Sequence, residues 1–144
     1  MRPSWDDYFL DIARIVATRH TCPVAAVGAV FVDENKSILV TGYNGSPRGM
    51  KHCDKCDGRV MGEQSGVCLA VHAESNGIYN ATFNGVSLRN STLYSTNFPC
   101  PRCAQAIVSV GTKRVVYNIE YPDRSAVEYL REAGIETCEK IIQI

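Results

Sequence analysis

The chain has 144 residues, which suits one domain with its own core. Hydrophobic residues make up 45% and charged residues 21%, an ordinary globular balance that argues against disordered and fibrous classes. Fifteen basic and fifteen acidic residues cancel, so the footprint of a general nucleic-acid binder is missing. No apolar run approaches the ~18 residues that would point to a membrane span.

Residues 5 to 19 place Trp5, Tyr8, Phe9, Ile12, Ile15 and Val16 at helical spacing, with Ser4 as cap. "VAAVGAVFVD" predicts a buried strand over 24 to 32, "DENK" a tight turn, and "SILVTGYN" a second strand over 37 to 44 that closes a hairpin. Residues 45 to 66 show no periodicity and predict a long loop; loops of that length are functional, disordered or stapled. A helix follows over 69 to 81 and a strand over 91 to 96. Another helix opens at "PCPRC" and stops at Gly111. A strand over 113 to 118, a helix over 123 to 133 and a last strand in "IETCEKIIQI" complete the chain. This order predicts an α/β fold: a three-layer α/β/α sandwich with a five-stranded mixed sheet, parallel except for the first hairpin. No repeat or linker interrupts it, so residues 1–144 read as one domain with a Cys-rich insertion at 45–68.

The N-terminus, "MRPSWDDYFLDIARIV", has two early acids and no continuous apolar stretch, unlike a secretory signal. The expected compartment is the cytoplasm, where disulfides are rare and clustered cysteines more often hold metal. Cys100 and Cys103 form a Cys-x-x-Cys pair at a helix start, where the helix favours the thiolate. Alone, that pair fits a metal site, a redox pair or structural thiols. "VHAES" adds His72 and Glu74. A lone His in a helix is more often a packing or surface residue, and a lone Glu there complements the helix dipole. Together, His-x-Glu followed by Pro-Cys-x-x-Cys is the signature of zinc nucleobase deaminases. One imidazole and two thiolates fill three positions of a tetrahedral zinc and leave the fourth open, as in catalytic sites. Glu74 is then placed to carry protons.

The motifs "VGAVFV", "TGYNGSPRG", "HAE" and "PCPRCAQAI…GTKRVVYNIEY" resemble, in order, the cytidine and deoxycytidylate deaminase superfamily. The chain is most similar to the deoxycytidylate (dCMP) deaminases of the bacterial and phage kind, over roughly residues 8 to 138. "GYNGSP" joined to a Cys-rich insertion before "HAE" separates that branch from tRNA adenosine and riboflavin-pathway deaminases. The resemblance implies a cytidine deaminase-like fold and hydrolysis of dCMP to dUMP and ammonia, feeding thymidylate synthesis. It implies catalytic Zn2+ on His72, Cys100 and Cys103, with Glu74 as proton shuttle. Asn44, the backbone of Ala73, and Tyr121 would contact substrate. Arg48, Lys51 and Arg102 are phosphate candidates by charge alone. Cys53-x-x-Cys56 is a ready metal half-site, and relatives carry a second, structural zinc; Cys22, Cys53, Cys56 and Cys68 are the expected ligands, with His52 able to replace one. Cys138 is left as a core residue.

The resemblance further implies a homohexamer, activated by dCTP and inhibited by dTTP. The effector would lie near Gly42, Tyr43, Asn44, Gly45 and Ser46, with Mg2+ accompanying a triphosphate. A plain turn is the bland reading of that stretch. A phage-encoded chain would work in the host cytoplasm. The alternatives are another zinc nucleobase deaminase, acting on tRNA adenosine or a riboflavin precursor, or a non-catalytic zinc-binding module. A structural zinc site has no use for the acid at Glu74.

Overall fold

A computed structural model describes residues 1–56, 61, 65, 67–119 and 123–141. Nine elements follow in chain order: α1 (Trp5–Ala17), β1 (Gly28–Val32), β2 (Ile38–Tyr43), α2 (Ala73–Phe83), β3 (Thr92–Asn97), α3 (Pro101–Ser109), β4 (Arg114–Ile119), α4 (Ser125–Glu132) and β5 (Glu136–Glu139). They build one five-stranded mixed sheet of order β2-β1-β3-β4-β5. β3, β4 and β5 run parallel, as expected. The antiparallel part is larger than the predicted hairpin, because β1 opposes β3 as well as β2. The chain leaves β2 through α2 and returns on the far side of β1, so β1 lies against both strands that flank it.

Helices cover both faces unequally. α1 sends Phe9, Leu10 and Ala13 onto Val30, Val32, Tyr94 and Val116. On the other face Ala73, Ile78, Ala104, Ile107, Val127 and Leu130 pack on Ala29, Phe31, Leu93 and Val115. A fully buried Phe or Leu contributes about 1.5–3 kcal/mol. α1 is also clamped to β4. Arg114 donates to both carboxylate oxygens of Asp6, at 2.7 and 2.8 Å, and the Tyr94 hydroxyl donates to Asp6 at 2.9 Å.

Two boundaries differ from expectation for a visible reason. β1 starts at Gly28 rather than 24, because Asn44 takes over the bonding of the residues before it. Its Oδ1 accepts from the Val27 amide at 2.8 Å, and its Nδ2 donates to the Ala25 carbonyl at 2.9 Å. α2 starts at Ala73 rather than 69, because Val71 exchanges two backbone hydrogen bonds with Gly45, at 3.0 and 2.8 Å. That bridge ties the two ends of the Cys-rich insertion together and leaves His72 extended, with φ −67° and ψ 154°. Among the described residues no helix is long and apolar enough to cross a membrane.

Candidate active site

Two helix starts meet at one end of the sheet. Cys100 is the N-cap of α3, Pro101 opens the helix, and the Cys103 amide donates to the Cys100 sulfur at 3.5 Å. The orphan amides of a first turn and the fixed φ of proline explain why Pro-Cys-Pro-x-Cys starts a helix here. His72 is the N-cap of α2 and makes no side-chain cap bond, which frees its ring for another partner. His72 Nδ1 lies 3.4 Å from Cys100 Sγ and 3.5 Å from Cys103 Sγ. Tetrahedral zinc bonds of ~2.0 Å to nitrogen and ~2.3 Å to sulfur subtend an edge of about 3.6 Å, so the three donors fit zinc. Among the described residues this is the only His, Cys, Asp or Glu group of three or more that converges so closely.

The electrostatics suit a cation. The hydrogen bond from Cys103, followed by that with His72, pushes the Cys100 thiol down to about 3. The same pairing, together with burial, pushes Cys103 up. The Cys100 partner raises His72. Glu74, the second residue of α2, is 3% exposed and outside the ligand group. Burial pushes its carboxyl above the usual range, against the opposing pull of its own backbone amide and Ser95. Ser95 Oγ donates to Glu74 Oε1 at 2.9 Å.

A cleft of ≈ 310 Å³ opens onto these groups. Cys22, Ala25, Val27, Asn44, Cys68, Ala73, Asn97 and Phe98 line it together with His72, Glu74 and Cys100. Asn44 and Ala73, expected to contact substrate, both line this cleft, and Asn44 also holds the 25–27 segment. Tyr121 lies outside the described residues. Arg48, Lys51 and Arg102 are not among the cleft's lining residues. Arg48 lines a neighbouring cleft of ≈ 250 Å³ with Thr21, Tyr43, Ser46, His52 and Asn76. The five residues expected near an effector divide accordingly. Tyr43 and Ser46 face this second cleft, and Asn44 faces the first. Gly45 forms the bridge to Val71. Gly42 sits inside β2, where a Cβ would collide with the Ala73 carbonyl and the Gly77 amide. Its lack of a side chain lets α2 approach the strand.

The second cysteine group behaves differently. No three of Cys22, Cys53, Cys56 and Cys68 converge as the catalytic ligands do, and His52 joins no such group. Cys22 and Cys68 instead line the substrate-sized cleft. Cys138 is half-buried against the α1 face of the core. Sequence reasoning missed Ser95, Asn97 and Phe98. A signal for Ser95 exists: it shares a strand face with the core residue Leu93, where a hydroxyl needs a partner.

Three candidate donors, beside a buried acid outside their group, have the make-up of a catalytic rather than a structural zinc site. The family model for the cytidine and deoxycytidylate deaminase zinc-binding region matches residues 3–119, and the chain belongs to that family. It is 37% identical over 142 residues to a deoxycytidylate deaminase of Schizosaccharomyces pombe, covering 94% of this chain and 44% of the yeast protein. It thus spans less than half the length of that relative. With the deoxycytidylate deaminase of Mycobacterium phage D29 it shares 41% identity over 125 residues, 81% of this chain and 95% of the phage protein. The solved dCMP deaminase of cyanophage S-TIM5, in complex with dCMP and dUMP, superposes with a TM-score of 0.81 at 29% identity, covering 97% and 99% of the two chains.

Proposed function

We propose that this chain hydrolyses dCMP to dUMP and ammonia at a single catalytic zinc, supplying dUMP for thymidylate synthesis in the cytoplasm. The observation that carries this reading is the convergence of His72, Cys100 and Cys103 beside buried Glu74 in one cleft. When bound, zinc supplies a nucleophile drawn from water near neutral pH. His72, Cys100 and Cys103 hold it at the junction of α2 and α3. Glu74 accepts the proton that water loses and delivers it to the ring nitrogen N3. With the water oxygen bonded to C4, the same carboxylate then moves that oxygen's remaining proton to the exocyclic amine. The C4–N4 bond breaks, a C4 carbonyl forms, and ammonia leaves; one water is consumed per dCMP. A carboxyl whose pKa is raised by burial suits this double duty. Phe98, Val27 and Ala25 give the base an apolar surround, and Asn44 and the start of α2 offer it polar partners.

Regulation belongs to the same proposal. The cleft lined by Tyr43, Ser46, Arg48 and His52 adjoins the substrate cleft across the Asn44 turn and supports an effector site there. In a homohexamer, dCTP with Mg2+ would activate from this cleft and dTTP would inhibit. The rate against dCMP is then sigmoidal without dCTP and hyperbolic with it; hyperbolic curves in both conditions count against the effector site.

The decisive experiment is ammonia release from dCMP, dCTP, deoxycytidine and a tRNA anticodon stem, with zinc per chain counted on the same sample. Turnover confined to dCMP supports the reading. Turnover of the tRNA stem alone would reassign the substrate. Two zincs per chain would support a second, structural site on Cys22, Cys53, Cys56 and Cys68, and one zinc would remove it.

A further inference from the structure

We infer that Ser95 is a positioning residue for the deamination, fixing one oxygen of Glu74 so that the other faces the reacting groups. The inference rests on the proton-shuttle reading of Glu74. Three observations carry it. Ser95 is fully buried (0% exposed), and Glu74 is 3% exposed, so each must find its partner inside the protein. The Ser95 hydroxyl donates to Glu74 Oε1 at 2.9 Å. Ser95 also sits in the middle of the sheet, opposite Ala29 on β1 and Tyr117 on β4, which makes it a fixed point rather than a loop contact.

The placement links the acid to the ligands through one stretch of chain. β3 carries Ser95 and runs directly into the turn that presents Cys100 and Cys103. α2 carries His72 and Glu74. The Ser95–Glu74 bond therefore ties α2 to β3, the strand that leads into α3, just as the ligand group ties the start of α2 to the start of α3. A second hydroxyl, Ser75 Oγ, makes the matching contact to Cys103 Sγ at 3.4 Å. Glu74 has three rotatable side-chain bonds, and a buried carboxylate with one oxygen pinned has few orientations left. An apolar residue at this face would extend the core below Leu93 and leave Glu74 without that donor.

The test is Ser95→Ala, alone and combined with Glu74→Ala, on zinc-loaded protein with dCMP. In the single variant kcat should fall about tenfold to a hundredfold, the scale of a hydrogen bond to a charged group. Its KM for dCMP and its zinc content should stay near wild type. Added to Glu74→Ala, the same change should lower the residual rate no further, because Ser95 acts only through Glu74. A kcat equal to wild type overturns the inference, and so does an equal loss in both backgrounds, which would mark a merely structural role. A crystal structure of Ser95→Ala gives a readout independent of turnover. The Glu74 carboxylate should leave its wild-type orientation while His72, Cys100 and Cys103 stay in place; an unmoved carboxylate overturns the inference. If wild-type protein releases no ammonia from dCMP, the substrate reading fails, and the crystal structure still decides the role of Ser95.

Discussion

The molecule contains two Cys-x-x-Cys pairs, and among the described residues only Cys100 and Cys103 join a converging group of three metal-binding side chains. Cys100 and Cys103 start a nine-residue helix, are held by the strand before it, and meet His72 from a second helix. Cys53 and Cys56 lie in chain that belongs to no helix or strand, and Cys56 is exposed. Nearby charges are equally loose: Lys51 and Asp54 stand 3.9 Å apart with side chains 83% and 86% exposed, a pairing worth little. The spacing is the same in both cases. Among the described residues, what differs is a rigid element behind the sulfurs and a converging His72 from a second helix start. A ligand motif on a rigid element is held ready for a metal before it arrives.

The contrast can be pressed hardest at Cys100. Cys100→Ser should lose the catalytic zinc and with it all measurable deamination, read by zinc per chain and ammonia release; a variant that keeps a full equivalent of zinc would remove Cys100 from the ligand set. Glu74→Ala comes next. It should keep its zinc and its affinity for nucleotide while kcat falls by at least ~10²-fold, the usual loss for a general acid–base group. Near-normal turnover would take the proton-carrying role from Glu74.

A third variant tests the platform rather than the ligands. Asp6→Asn weakens the paired hydrogen bonds from Arg114 and should cost about 2 kcal/mol of stability in denaturant melts, while zinc per chain is unchanged. The sign of its pH dependence is fixed. Arg114 holds the Asp6 carboxyl below its ordinary value of 3.8. The extra stability is therefore fully present above about pH 4 and is lost as pH falls through the lowered folded value. The gap between wild type and Asp6→Asn should close over that acid range; a gap constant down to its end would show that the charge of Asp6 contributes nothing.

The smallest effect is expected at the other pair. Cys56→Ser should leave the catalytic zinc in place and shift stability by no more than about 0.5 kcal/mol, as exposed substitutions do. Loss of one zinc equivalent with a large drop in stability would break the contrast and make the insertion a metal site in its own right.

What could be read beforehand follows the same division. His72, Glu74, Cys100 and Cys103 were legible because each pair is local in sequence, each sits at a helix start, and together they match the signature of zinc nucleobase deaminases. The alternation of strands and helices gave the layers. The start of β1 was not legible, since "VAAV" has strand composition and nothing local says that an asparagine seventeen residues on will take its hydrogen bonds. The start of α2 was hidden likewise by an apolar "LAV" that a long-range bridge holds extended. Ser95 was missed: it is a polar residue on a core face whose partner lies on another element. Convergence of the insertion's cysteines is a property of tertiary structure, and spacing alone does not supply it.

The Gly45–Val71 bridge has an evolutionary corollary. Chain that leaves and returns at one clasp can change in length or content without dragging its neighbours, since lengthening a closed loop costs little. His72 stands immediately outside the clasp, so the chemistry is insulated from such changes. Cys68 and Ala70 stand just inside it and form part of the cleft wall. Substitutions just inside the clasp would therefore be felt at the cleft wall before they are felt at His72.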